Sequence, residues 1–168
     1  MAHIERLKPW ILKWEGGFVD HPLDKGGATN KGITIATFRT FFGAGATVEQ
    51  LKNITDKQWT AIFEAGYWRP FKADLIKSQA IANICVDWAW ASGAVTAIKQ
   101  VQRILGVTVD GMVGNITLTA INSAEPRKLF ERIKAERIAF VENIVKRNPS
   151  QKVFLKGWKN RINDIRYE

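Results

Sequence analysis

Several features are scarce or missing in this 168-residue chain. It has one cysteine, Cys85, so no internal disulfide can form and the fold does not depend on an oxidising compartment. Its two histidines, His3 and His21, offer no zinc-binding pair at helical spacing and no evident partner for Cys85. No metal and no organic cofactor is expected. No run of about 18 apolar residues occurs, so no membrane-spanning helix is expected. The first residues carry Glu5, Arg6, Lys8 and Lys13 without an unbroken apolar stretch, so no signal peptide is read and synthesis in the cytoplasm is expected. Strand signals are few, and low-complexity tracts and internal repeats are absent. Gly27 and Gly32 have the spacing of a phosphate loop, but Ile33 stands where that loop needs lysine.

What is present is the composition of a folded globular protein, 46% hydrophobic and 11% aromatic. The length fits one domain, or one domain with a small appended lobe, and can bury a core without staples. Acidic residues are in deficit, leaving a net charge of +9. The excess is uneven: residues 126–168 hold twelve Lys/Arg against five Asp/Glu, and residues 1–125 hold thirteen against eleven. A basic C-terminal third favours an anionic partner such as nucleic acid, lipid headgroups or cell-wall polymer; a merely solvated helix face is an equal reading of the charge alone. No recognisable nucleic-acid module accompanies it, so no nucleic-acid partner is expected.

Helical signals dominate. Ile4, Leu7, Ile11 and Trp14 recur at helical spacing, with Pro9 bending that helix or falling near its start. Thr34 is placed to cap a short helix from 35 to 42. Thr47 with Gln50, and Thr55 with Gln58, both fit the capping box. The second of these opens a helix predicted to reach Tyr67 or Trp68 and to stop at Pro70. Apolar helices are predicted over 77–92 and 94–105, ended by Gly93 and Gly106. Asn115 is read as the cap of a short helix to Ile121. Pro126 suits the first turn of a long amphipathic helix to Arg147, and Ser150 starts a last segment broken near Gly157. The prediction is a mainly α fold of about eight helices with at most a small β-hairpin within 17–34.

The first helix runs into the stretch "WEGGFVDHPLDKGGATNKGIT", residues 14–34. On a wheel at about 100° per residue, Trp10, Trp14, Leu7, Ile11 and Ile4 fill one arc and Glu15 falls at its edge. A carboxyl held against Trp and Ile loses hydration, and the negative end of the helix dipole adds to the penalty on its charged form. A glutamic acid kept protonated in this way can give its proton to a leaving oxygen. Gly16 and Gly17 stop the helix and leave room beside the carboxyl. A hairpin after them would fold Asp24 and Thr29 back towards Glu15, with Gly26, Gly27 and Gly32 supplying the turns. One protonated acid, one ionised acid and a hydroxyl that holds water suit glycoside hydrolysis. Taken singly, Glu15 reads as a residue beside an ordinary C-cap, and Asp24 and Thr29 as turn-capping residues.

The run Glu15-Gly16-Gly17 plus an aromatic, Asp24-x-Gly26-Gly27-x-Thr29-Asn30 and Gly32-Ile33-Thr34 resembles the signature of glycoside hydrolase family 108. These are bacterial and phage N-acetylmuramidases, some once called secretion activator proteins. Further pieces are similar to that family's C-terminal peptidoglycan-binding-like half: "YWRPF" at 67–71, "VDWAWASG" at 86–93, "VQRILGVTVDGMVGNITLTAI" at 101–121 and "FLKGWKNRI" at 154–162. Within these, Asp110-Gly111-x-x-Gly114-x-x-Thr117 is similar to the turn of many peptidoglycan-binding helical modules; two positions depart from the pattern, Asn115 where such turns commonly have proline and Ala91 where the family tends to have asparagine. The resemblance implies a lysozyme-like fold, with a catalytic lobe over 1–66 and a peptidoglycan-binding-like lobe over 67–168 packed as one compact unit with it. It implies cleavage of the β-1,4 bond between N-acetylmuramic acid and N-acetylglucosamine, at the cell wall or in the periplasm after export or lysis. Glu15 matches the family's catalytic glutamate. Glu15, Asp24 and Thr29 are also similar to the Glu…Asp…Thr set of phage lysozymes, with Asp20 as runner-up for the second acid.

Seven tryptophans are many for this length, and indole faces stack on sugar rings. Tyr67, Trp68 and Trp90, with Asp20 and Asn30, are the candidates for a glycan cleft, although an aromatic at helical spacing is more often core. Asp87 joins them as a candidate, but in so apolar a helix it is better explained by pairing with an arginine or a capping N–H. The expected partners are glycan strands of peptidoglycan and, from the charge, anionic wall polymers, with the protein a monomer. Two alternatives stay open: a lytic transglycosylase acting on the same bond, and a non-catalytic protein that binds the wall or assists secretion.

Overall fold

The computed structural model of the protein describes residues 1–21 and 26–168. Among them are nine α-helices and one short hairpin. The elements are α1 (Ile4–Trp14), β1 (Thr29–Asn30), β2 (Ile33–Thr34), α2 (Ile35–Phe42), α3 (Val48–Lys52), α4 (Asp56–Phe63), α5 (Gln79–Ser92), α6 (Ala94–Leu105), α7 (Asn115–Ser123), α8 (Pro126–Arg147) and α9 (Lys152–Asp164). The mainly α expectation therefore holds. Most of the helix starts follow from side-chain caps. Thr47 accepts from the Gln50 N–H at 3.1 Å while Gln50 accepts from the Thr47 N–H at 2.8 Å, and Thr55 and Gln58 repeat the arrangement. Thr34 caps α2, Ser78 caps α5, and the Glu125 carboxylate accepts from two N–H groups at the start of α8.

Three local expectations are corrected. The helix from Thr55 does not run on as α-helix to Tyr67 or Trp68: it changes to a π turn over Glu64–Trp68, followed by a 3-10 turn over Arg69–Phe71 that contains Pro70. Asn115 is not a cap; Gly114 is, and Asn115 is the first helical residue. Helix α9 runs unbroken through Gly157. A helical glycine costs about 1 kcal/mol relative to alanine; here Leu155, Trp158 and Ile162 at helical spacing give α9 an inward face that offsets it.

The chain divides into two compact units, one of residues 7–66 and the other of residues 1–6 with 67–168. In the first unit α2 packs on β2 and α3 on β1, and the core includes Leu7, Ile11, Ile33, Phe38, Leu51, Trp59 and Phe63. In the second unit α5 is the central element and packs against α6 and α8, while α8 packs against α9. Nine residues of α5 between Ala80 and Ala89 are buried, and all of these but Asp87 are apolar; the half-buried Asn83 accepts from the Gln79 amide at 2.8 Å.

Asp87 is fully buried. One oxygen accepts from Arg137 of α8 at 2.8 Å and the other from Arg161 of α9 at 2.7 Å, so three helices meet at one carboxylate. Arg137 is 3% exposed and its guanidinium also stands 5.8 Å over the Trp88 ring. Cys85, two residues before Asp87, is buried, and that burial pushes its thiol up to about 12 against the opposing pull of Arg137.

A second polar knot holds the turn after α6. The buried Gln102 side chain accepts from the N–H groups of Asp110 and Gly111, both at 3.0 Å, and donates to Asp110 Oδ1, Met112 O and Thr117 Oγ1. Gly111 has φ +77, and a Cβ there would meet Val95 at 3.0 Å, so only glycine fits. The Gln102 donor, aided by the Met112 N–H, holds the Asp110 carboxyl below its ordinary range.

Asp87→Ala is expected to destabilise the protein by about 3–5 kcal/mol in urea unfolding, because it strands a buried guanidinium. Asp110 has a folded pKa below its unfolded value, so its contribution is present above the ordinary carboxylate range and is lost as pH falls through it. The stability gap between parent and Asp110→Asn should therefore be constant above about pH 5 and shrink below it, measured by unfolding across pH.

Candidate active site

Within the unit of residues 7–66, the segment after α1 is organised by a hairpin whose geometry is written in its turn. Lys31 has φ 49 and Gly32 has φ 81, the two left-handed residues of a type I′ turn, which matches the twist of paired strands. Asn30 pairs with Ile33 and Thr29 with Thr34 in an antiparallel register. Two long-range hydrogen bonds hold the hairpin. The Asn30 amide donates to the carbonyls of Leu51 and Lys52, both at 3.0 Å, at the end of α3. The Trp59 indole N–H of α4 donates to Lys31 O at 3.0 Å.

The chain leaving α1 joins this hairpin. Val19 and Thr29 exchange both backbone hydrogen bonds at 2.8 Å, so Thr29 lies between Val19 on one side and Thr34 on the other. Thr29 is half-buried, while its neighbour Asn30, pointing the opposite way in the pleat, is 5% exposed. The bridge thus places Thr29 beside Val19, four residues after Glu15. Glu15 itself is half-buried at the C-terminal end of α1, its N–H bonded to Leu12 O. Gly16 and Gly17 are exposed, and a Cβ on either would meet nothing within 4 Å, so the space beside the glutamate is open. Asp20 follows the bridge and is exposed. Asp24 lies outside the described residues.

The remaining candidates divide sharply. Tyr67 and Trp90, in the second unit, are both half-buried and meet edge to face at 4.9 Å, and burial raises the Tyr67 hydroxyl above its ordinary value. They keep surface on which a sugar ring could stack. Trp68 is 1% exposed with its indole N–H donated to Asp74, which makes it core and not a cleft residue. Asp87 is sealed among α5, α8 and α9 with its two arginines, so it too is removed from the substrate-contact set. Asn30 has both amide hydrogens taken up by α3 carbonyls, so it serves the hairpin rather than a ligand.

One feature escapes a reading of the sequence: Glu64 is half-buried at the first position of the π turn, a distortion that recurs at functional sites. Trp10 and Trp14, which the helical wheel puts on the arc bordered by Glu15, are half-buried with rings 6.2 Å apart on the last turns of α1.

Comparison with known proteins gives three findings. The family model described as Glycosyl hydrolase 108 matches residues 8–93, and the one described as Predicted Peptidoglycan domain matches residues 96–163. The solved structure of Brucella abortus SagA is similar over 96% of this chain and 90% of its own, with a TM-score of 0.81 and 31% identity. No curated protein matches the chain.

Asn30→Ala should cost about 1–3 kcal/mol, since it leaves two carbonyls of α3 without their donor. Asn30→Asp should cost more than Asn30→Ala, because it turns an acceptor towards those same carbonyls; chemical unfolding of the two variants tests the order.

Proposed function

Because the chain belongs to the glycosyl hydrolase 108 family and carries a peptidoglycan domain on a lysozyme-like fold, it is a peptidoglycan-acting protein, and we propose that it is an N-acetylmuramidase with Glu15 as general acid. The observation that carries this reading is the setting of Glu15. The residue stands half-buried at the end of a helix, two open glycines follow it, and Val19 just beyond them is bridged to Thr29.

In this mechanism Glu15 gives its proton to the oxygen linking N-acetylmuramic acid to N-acetylglucosamine as that bond breaks. Positive charge grows on the sugar ring, and a carboxylate stabilises it or activates water from the other face. Asp24 takes that role on the strength of the resemblance, with Asp20 as the alternative. Thr29, whose backbone is already fixed by Val19, positions the water with its hydroxyl. A residue so anchored holds a water with little reorganisation. Tyr67 and Trp90 offer ring faces for the glycan, and the action takes place at the cell wall after export or lysis.

Glu15→Gln should lower turnover on purified peptidoglycan by about 10³-fold, within the range general acid catalysis supplies, with unfolding unchanged. Equal loss of turbidity by parent and variant ends the enzymatic reading. Mass analysis of the products should give reducing muramic acid ends; 1,6-anhydro ends would instead identify a transglycosylase. Asp24→Asn should cost more turnover than Asp20→Asn.

A further inference from the structure

A stretch of the C-terminal region stands outside the proposed chemistry. Residues 143–163 contain Lys146, Arg147, Lys152, Lys156, Lys159 and Arg161 and no acidic residue. Two of these cations have structural partners, Arg161 with Asp87 and Lys159 with Glu142 at 3.3 Å. The other four are exposed and form no ion pair among the described residues. They occupy one corner of the fold: the end of α8, a 3-10 turn over Pro149–Gln151, and the first turns of α9.

Two apolar side chains stand out to solvent in that corner. Val153 is 79% exposed and Phe154 is 52% exposed. Lys152 and Lys156 are one helical turn apart and lie together on one side of the exposed Val153 around α9. Phe154 lies on the other side of Val153 from the two lysines, its ring stacked on Trp158 at 5.8 Å. That stacking holds the aromatic in place, so it gives up little rotamer entropy on contact with a surface.

Cations alone would suit any polyanion, wall polymers included. Apolar side chains exposed beside cations are different, because a dissolved polyanion cannot bury them. A surface with phosphates outside and hydrocarbon beneath satisfies both. We propose that this corner docks on anionic lipid headgroups, with Lys146, Arg147, Lys152 and Lys156 on the phosphates and Val153 and Phe154 entering the boundary of the acyl chains. The docking needs no spanning helix, and among the described residues none is long and apolar enough to be one. It is independent of Glu15.

The test uses the full chain and cosedimentation with vesicles of phosphatidylglycerol and phosphatidylcholine, against vesicles of phosphatidylcholine alone. Binding is expected to the anionic vesicles and to fall with salt. The K152Q/K156Q variant should partition about 30-fold more weakly, at roughly 1 kcal/mol for each cation near a membrane surface. The V153S/F154S variant should lose about tenfold through its apolar area. All four positions are exposed, so both variants should unfold like the parent, and Glu15→Gln should bind vesicles as the parent does. Absence of partition at low salt overturns the proposal. So does binding that V153S/F154S leaves unchanged, which would mark a purely ionic site for soluble polyanions. Self-association that this variant abolishes, without vesicle binding, also overturns it and assigns the patch to a second copy of the chain.

Discussion

The arrangement around α5 depends on one buried carboxylate. Asp87 sits among the apolar buried residues of its helix, and a lone charge there would be expelled from the fold. It is accepted because α8 and α9 each bring an arginine to a different oxygen. Buried ion pairs of this kind add little net stability compared with a well-packed apolar cluster, but they penalise every packing that separates the partners. The three-way contact therefore acts on which arrangement of α5, α8 and α9 forms. The charge excess of the C-terminal region is partly explained in the same way, since Arg137 and Arg161 belong to the interior account and not to a binding face.

The same economy of buried polar groups shapes the smaller unit. Its hairpin is two residues long on each side and could not persist by its own pairing. Asn30 and Trp59 tie it to α3 and α4, and Val19 adds a third rung. What results is a rigid base for a segment that must carry exposed polar groups. Glu15 and Asp20 emerge from the margins of this base, with open space at Gly16 and Gly17 between them, while Thr29 is held within it between Val19 and Thr34. Function placed on the margins of a fixed scaffold is a general solution, because a buried side chain cannot meet a polymer.

Much of this could be read from residues alone wherever the cause was local. Capping boxes at Thr47 and Thr55, the glycine stops at Gly93 and Gly106, and Pro126 at the head of α8 are all decided within a few residues. The location of a hairpin behind Glu15 was legible for the same reason, since Gly27 and Gly32 advertise positive φ. Where partners lie far apart in sequence the reading fell short. Trp68 was a candidate ligand contact, and only the folded chain shows it sealed against Asp74; Asp87 was also a candidate, but the arginine pairing that explained it better is what the fold supplies, through Arg137 and Arg161. Asn30 belongs to a motif, yet its partners are about twenty residues away, at Leu51 and Lys52. The π turn over Glu64–Trp68 has no local signature, because an inserted residue in a helix is tolerated for the sake of packing that the helix itself does not encode. The continuity of α9 through Gly157 follows likewise from tertiary burial, not from propensity.

Cys85 has a consequence of a different order. Sulfur chemistry begins with the thiolate, and this thiol is both enclosed and held protonated far above physiological pH. Peroxide, glutathione and disulfide-exchange enzymes therefore find nothing to react with while the protein is folded. A chain built in this way can pass from a reducing to an oxidising environment and keep the same covalent structure on both sides.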